Sequence, residues 1–147
     1  MRATFLVLLG ASAVAAQAAF AWPGPPSSAP PTSPNPGGPP AAWVETQAKS
    51  RWLAYGSYCW STACVDMIAP QSRSDLPTVT VAAGARIRVH LRFKATSIAV
   101  TVGQRSVPAT VDSTKRIASW EATRGGLLTV FARTSGDASY LARLRIR

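Results

Sequence analysis

The segment "RIRVHLRF", residues 86–93, constrains the fold of this chain more than any other. It alternates without a break. Ile87, Val89, Leu91 and Phe93 fall on one side, and Arg86, Arg88, His90 and Arg92 on the other. Side chains of a strand point to opposite faces in turn, so this period of two predicts a half-buried strand. The same period recurs downstream. "TVTV" at 78–81 is followed by a turn at "AAGA", and "SIAVTV" at 97–102 puts Ile98, Val100 and Val102 on one face. "RIASWEA" carries Trp120. Residues 126–146 read as a hairpin, with Leu128, Val130 and Ala132 before a turn at "SGD" and Tyr140, Ala142, Leu144 and Ile146 after it. No window carries a helical stripe. Short strands with turn signals at roughly ten-residue spacing predict an all-β fold, a small antiparallel sandwich over 43–147. About 105 residues suffice for such a core.

The chain before residue 43 has a different character. Arg2 precedes the apolar run "TFLVLLGASAVAA", which ends in the small-residue patterns "AQA" and "AFA". This predicts a secretory signal peptide over 1–21, cleaved after Ala18 or Ala21. The run is shorter than the about 20 apolar residues of a transmembrane helix, and no later run approaches that length. Residues 22–42 hold nine of the twelve prolines and no charge. That composition predicts an extended, disordered, polyproline-like tether with no packed core.

Export bears on the two cysteines, Cys59 and Cys64, in "YGSYCWSTACVD". Paired cysteines in an oxidising compartment usually form a disulfide. A redox pair more often has two intervening residues beside a helix start. A structural zinc site needs about four ligands, and His90 is the only histidine. A disulfide is therefore expected, with free thiols and a metal site as the alternatives. No cofactor is expected.

Four stretches together resemble an uncharacterised family of bacterial secreted proteins and lipoproteins. They are "GSYCW" (56–60), "CVDMIAP" (64–70), "GARIRV" (84–89) and "GDASYLARLRI" (136–146). The family pattern is G-[ST]-Y-[CS]-W, a short loop with an aspartate and a proline, a G-x-x-[IV]-x-[IV] strand and a closing hairpin strand. The resemblance covers 52–147. It implies an immunoglobulin-like fold and an envelope location; the family carries no assigned activity. The chain departs from it in its arginine content and its proline tether, where many relatives use a lipidated cysteine.

Little here points to catalysis. His90 would share its strand face with Arg88 and Arg92, whose charge disfavours an imidazolium. No serine stands in a nucleophile elbow to meet it, so a solvated, neutral strand histidine is expected. The carboxylates are Glu45, Asp66, Asp75, Asp112, Glu121 and Asp137. Asp137 is expected to bond locally in its hairpin turn, and Asp66 to tie the cysteine loop to backbone amides. No catalytic or metal-ligating residue is assigned. Trp52, Tyr55, Tyr58 and Trp60 surround the cysteines and are expected to fill the core beside them.

Charge is the stronger signal. The net charge is +10, and residues 82–147 hold twelve basic side chains against three acidic ones. Arg86, Arg88 and Arg92 share one strand face, and Arg143, Arg145 and Arg147 another. If the two strands are neighbours in one sheet, these faces merge into a patch for polyanions. Basic residues on exposed strands also blunt edge pairing, so a solvated face is the competing reading. The chain is expected to be a monomeric, non-catalytic module of a bacterial envelope or medium, with acidic envelope polymers or another secreted protein as partner. A polyanion binder is the first alternative, and a small secreted hydrolase is a third class.

Overall fold

A computed structural model describes residues 21–147. The signal-peptide segment, 1–21, lies outside the described residues except for Ala21. Twelve strands follow in chain order: β1 Trp43–Glu45, β2 Ser50–Trp52, β3 Ala54–Trp60, β4 Ala63–Val65, β5 Thr78–Val81, β6 Arg86–His90, β7 Ser97–Val102, β8 Arg105–Val107, β9 Thr110–Val111, β10 Ile117–Glu121, β11 Gly126–Arg133 and β12 Asp137–Ile146. One turn of 3-10 helix, Pro70–Ser72, lies between β4 and β5. No described helix is long and apolar enough to cross a membrane.

The strands form two sheets that pack as a sandwich. Sheet I has the order β2-β1-β6-β10-β9, and sheet II the order β4-β3-β12-β11-β7-β8. Both are antiparallel except that β5 runs parallel to β12, from Thr78 opposite Arg143 to Val81 opposite Ile146. Strand β12 can hold both neighbours on one edge because β3 pairs with its first half and β5 with its second.

The alternation in the sequence faces the core as expected. Ile87 and Val89 of β6 are fully buried, as are Leu128, Val130 and Ala132 of β11 and Ala138, Tyr140 and Ala142 of β12. These side chains meet between the sheets, and burying each stabilises the fold by roughly 1.5–3 kcal/mol for a Val- or Leu-sized group. Strand β6 stops at His90, short of Phe93. Leu91 is still buried and its amide bonds to Arg116. Phe93 turns aside to pack edge-on against Trp60, with ring centroids 4.9 Å apart.

Strand β3 breaks the period of two. Tyr55 and Tyr58 are three residues apart, yet both are buried. The register explains it: Tyr58 opposes Ala138 while Tyr55 opposes Tyr140, so β3 carries one more residue than β12. This is a bulge, which re-aims one side chain. Gly56 sits in it because a Cβ there would come within 2.5 Å of the Ser139 hydroxyl.

Residues 22–42 form no strand or helix. They have no core of their own, as their composition predicts. They are nonetheless laid along the domain as a strap. Pro39, Ala41 and Ala42 are buried, and the Leu53 amide bonds to Ala42. The hydroxyls of Tyr55 and Tyr140 donate to the carbonyls of Pro39 and Pro40, at 2.9 and 2.7 Å. A proline-rich segment suits this role because proline has no N–H to leave unpaired and its carbonyls stay free to accept.

Candidate functional site

The strap lies over β1, β2 and β6 on the outer face of sheet I, and this is where the distinctive chemistry gathers. Antiparallel register places Trp43 beside His90 and Glu45 beside Arg88. The Trp43 and His90 rings stack, with centroids 4.7 Å apart and planes within 4°. Trp52, next door on β2, meets Trp43 edge-on at 5.7 Å. Glu45 is 1% exposed. It accepts from the Gly24 amide of the strap and pairs with His90 Nε2, each at 2.7 Å. A buried carboxylate needs such partners. His90 is therefore a partnered, stacked side chain and not the solvated strand histidine that its position suggested.

Arg88 lies over the Trp22 ring, 3.8 Å from its centroid, a cation–π contact between sheet and strap. Trp52 Nε1 donates to the Ser28 carbonyl at 2.8 Å. Between strap and sheet lies an open cleft of about 650 Å³. Trp43, Trp52 and His90 line it on the sheet side, Pro25 and Pro30 on the strap side, and Arg92 and Arg116 are the cations in its lining. A smaller cleft of about 350 Å³ flanks the strap further along, also against Trp52, with Pro31 and Pro34 in its wall.

The predicted arginine groups do not merge. Arg86 and Arg88 belong to β6 of sheet I, whereas Arg143 and Arg145 belong to β12 of sheet II. The two strands are in different layers, so their outward faces point away from each other. Arg86 opposes Glu121 in register. Arg143 donates through Nη2 to the Arg73 carbonyl at 2.6 Å, beside Thr78 of β5. Arg145 and Arg147 are exposed, and the Arg147 amide closes on Val81. Arg92 alone of the six lines the large cleft.

Cys59 and Cys64 are bonded, S–S 2.07 Å, and face each other across β3 and β4. No free thiol remains among the described residues. Asp66 accepts from the Ser57 hydroxyl, which itself accepts from the Met67 amide. The cysteine loop is thus tied down through a serine relay and not directly to amides. Asp137 reaches across to the Cys59 amide at 3.2 Å, a cross-strand bond in place of the local one expected from its turn. Tyr55 and Tyr58 are core residues, as expected, while Trp52 and Trp60 are half-buried.

Sequence reasoning missed Trp43, Arg73 and Arg116. Trp43 lies in a strand of three residues, too short to show a period. Arg116 falls in the turn "DSTKR" and reaches the cleft only because Asp112 folds that turn back. Asp112 accepts from the Arg116 and Ile117 amides at 3.1 and 3.0 Å. Arg73 is 6% exposed. It pairs with Asp75 and donates to the Tyr55 carbonyl, holding the 66–77 loop to β3. Hydrogen bonding to Asp75 raises its pKa further and lowers that of Asp75.

No family model matches the chain, and no curated protein or solved structure does either.

Proposed function

We propose that the chain is an exported, non-catalytic binding module for anionic polymers, working from the arginines on the outer faces of both sheets. One observation carries this reading. Arg73 is the only lysine or arginine among the described residues with a carboxylate within 4.0 Å. The surplus of residues 82–147 is thus left without fixed counter-ions. Such side chains attract polyanions by releasing condensed counter-ions.

Further observations agree. The only large apolar side chains exposed among the described residues are Ile68 and Val111, on separate segments, so these two do not join into a broad apolar patch. Each of the five described clefts has at most one carboxylate in its lining, whereas hydrolysis by paired acids needs two. Export to a bacterial envelope or medium is supported by the leader pattern of 1–21, the disulfide and the family resemblance. Acidic wall polymers, acidic glycans and extracellular DNA share the chemistry required.

The test is salt-graded elution from heparin and from immobilised polyphosphate. Two triple variants separate the faces: Arg143→Gln/Arg145→Gln/Arg147→Gln for sheet II, and Arg86→Gln/Arg92→Gln/Arg116→Gln for sheet I. The unaltered chain should hold past physiological salt and each variant should leave earlier. Elution of all three together at low salt would reduce the arginines to solvated decoration.

A further inference from the structure

The strap is not attached evenly. Its root, 39–42, is buried and fixed by two tyrosine hydroxyls and a backbone bond. Its arm, 22–34, is more exposed and is held by separate point contacts. The ties are the Trp22 stack on Arg88, the Gly24 amide on Glu45, the Ser28 carbonyl on Trp52 and the Ser33 hydroxyl on Tyr58 at 3.0 Å. Arm and root meet at the turn Asn35–Gly38, closed by the Gly38 amide on the Asn35 carbonyl. Gly37 there has φ +74°, a left-handed conformation that favours glycine. Most arm residues from 23 to 34 are exposed, and the two clefts run beside the arm on either side of Trp52.

The way this groove holds the arm has a general logic. A polyproline-type chain offers few N–H groups, so its carbonyls and its flat ring faces are what a partner can grip. Aromatic-lined grooves do so with stacked rings and a donor aimed at a carbonyl. Trp52 supplies that donor to Ser28, with Trp43 beside it. The buried Nε1 of Trp43 has no hydrogen-bond partner among the described residues. The arm leaves one feature of the groove unused. It carries no charge, while Arg92 and Arg116 line the cleft beside it.

We propose that this groove is a recognition site for proline-rich segments of other proteins that carry acidic residues, and that the arm is its occupant in cis. The arm acts as an intramolecular competitor at an effective concentration on the order of millimolar. A segment from another chain must therefore gain something the arm lacks, and carboxylates beside Arg92 and Arg116 provide it. Strengthening by two such surface ion pairs is roughly fivefold. The site goes beyond polyanion binding and does not depend on it, because it requires prolines as well as charge.

The probe is a fluorescent peptide of the arm sequence, 22–34, with both serines at 27 and 28 replaced by glutamate. It is titrated against the unaltered chain and against Pro25→Gly/Pro26→Gly/Pro30→Gly, which loosens the arm and leaves the root intact. The loosened chain should bind the peptide about tenfold more tightly than the unaltered one. Adding Trp52→Phe to the loosened chain should weaken binding several-fold, and a peptide with its prolines replaced by alanine should not bind. In the unaltered chain, the Gly24 amide resonance should move at millimolar peptide as the arm leaves Glu45. No binding to the loosened chain, indifference to Trp52→Phe, or a fixed Gly24 resonance would each overturn the proposal. Equal binding of the proline-free peptide would also overturn it and leave only the arginine charge.

Discussion

Glu45 is the side chain that best shows how strap and sheet depend on each other. It is buried, and it bonds both to the strap and to His90. Removing one partner of such a group leaves the other desolvated and unpaired. Glu45→Ala should therefore cost about 2–4 kcal/mol, read as a shift of the urea midpoint. Glu45→Gln should cost clearly less, because an amide oxygen can still accept from Gly24. Equal losses would mean that the carboxylate is held only by packing. Asp112 makes a second residue-level prediction. Burial alone would raise its pKa, but the Thr114 hydroxyl and the Ile117, Arg116 and Thr114 amides together bring it below the usual aspartate value. A folded pKa below the unfolded one stabilises at pH above about 3.9, and the effect is lost as pH falls through the folded value. Asp112→Ala should cost about 1 kcal/mol near neutrality and lose less than the unaltered chain on acidification. Tyr140 shifts the other way. Burial, aided by Tyr55, pushes its phenol far above the ordinary value. Its contribution is present below pH about 10 and is lost on alkalinisation. Its phenolate absorbance should rise only together with alkaline unfolding.

Among the elements, legibility followed length and period. Strands β6, β7 and β11 bury alternate residues, and β12 does so except at Leu141, which is buried as well, so the alternation that marks them in the sequence is the packing itself. Strands β1, β2, β8 and β9 have three residues or fewer, and no period can be read over so few positions. The ends of β6 and the bulge in β3 were hidden for another reason. They depend on Phe93 meeting Trp60 and on Ser139 approaching Gly56, contacts between residues far apart in sequence. The parallel pairing of β5 was likewise invisible, because register is set by the partner strand. The cysteine pair was legible, since its spacing and the leader pattern of 1–21 together favour a bond. It closes a loop of about six residues, and Cys59→Ser/Cys64→Ser should cost about 2 kcal/mol by the loop-entropy relation. Thermal unfolding under reducing and oxidising conditions measures this. A variant as stable as the unaltered chain would make the hairpin self-sufficient.

At the scale of the whole molecule, charge could be counted in the sequence but not placed. Strand β6 carries Arg86 and Arg88 on one face but ends at His90, so Arg92 lies in the bend beyond it, and nothing local could say that β6 and β12 belong to different sheets. The result is two basic faces back to back in place of one patch. The strap was equally hard to foresee. Composition shows that 22–42 lacks a core, but not that three tyrosines and a tryptophan reach out to grip it. Its cleft draws on Trp43, Trp52, His90, Arg92 and Arg116, which come from β1, β2, β6 and the two turns beyond β6 and β9, so only the fold assembles it. Polyanion binding by unpaired arginines is the claim on which this picture of function rests. The most direct measurement is the affinity of the chain for single-stranded DNA or polyphosphate across a salt series. Contact with about four phosphates predicts a straight line of log affinity against log salt with a slope near −3. Both triple arginine variants should flatten it. A slope near zero, or one unchanged by either variant, would contradict the claim.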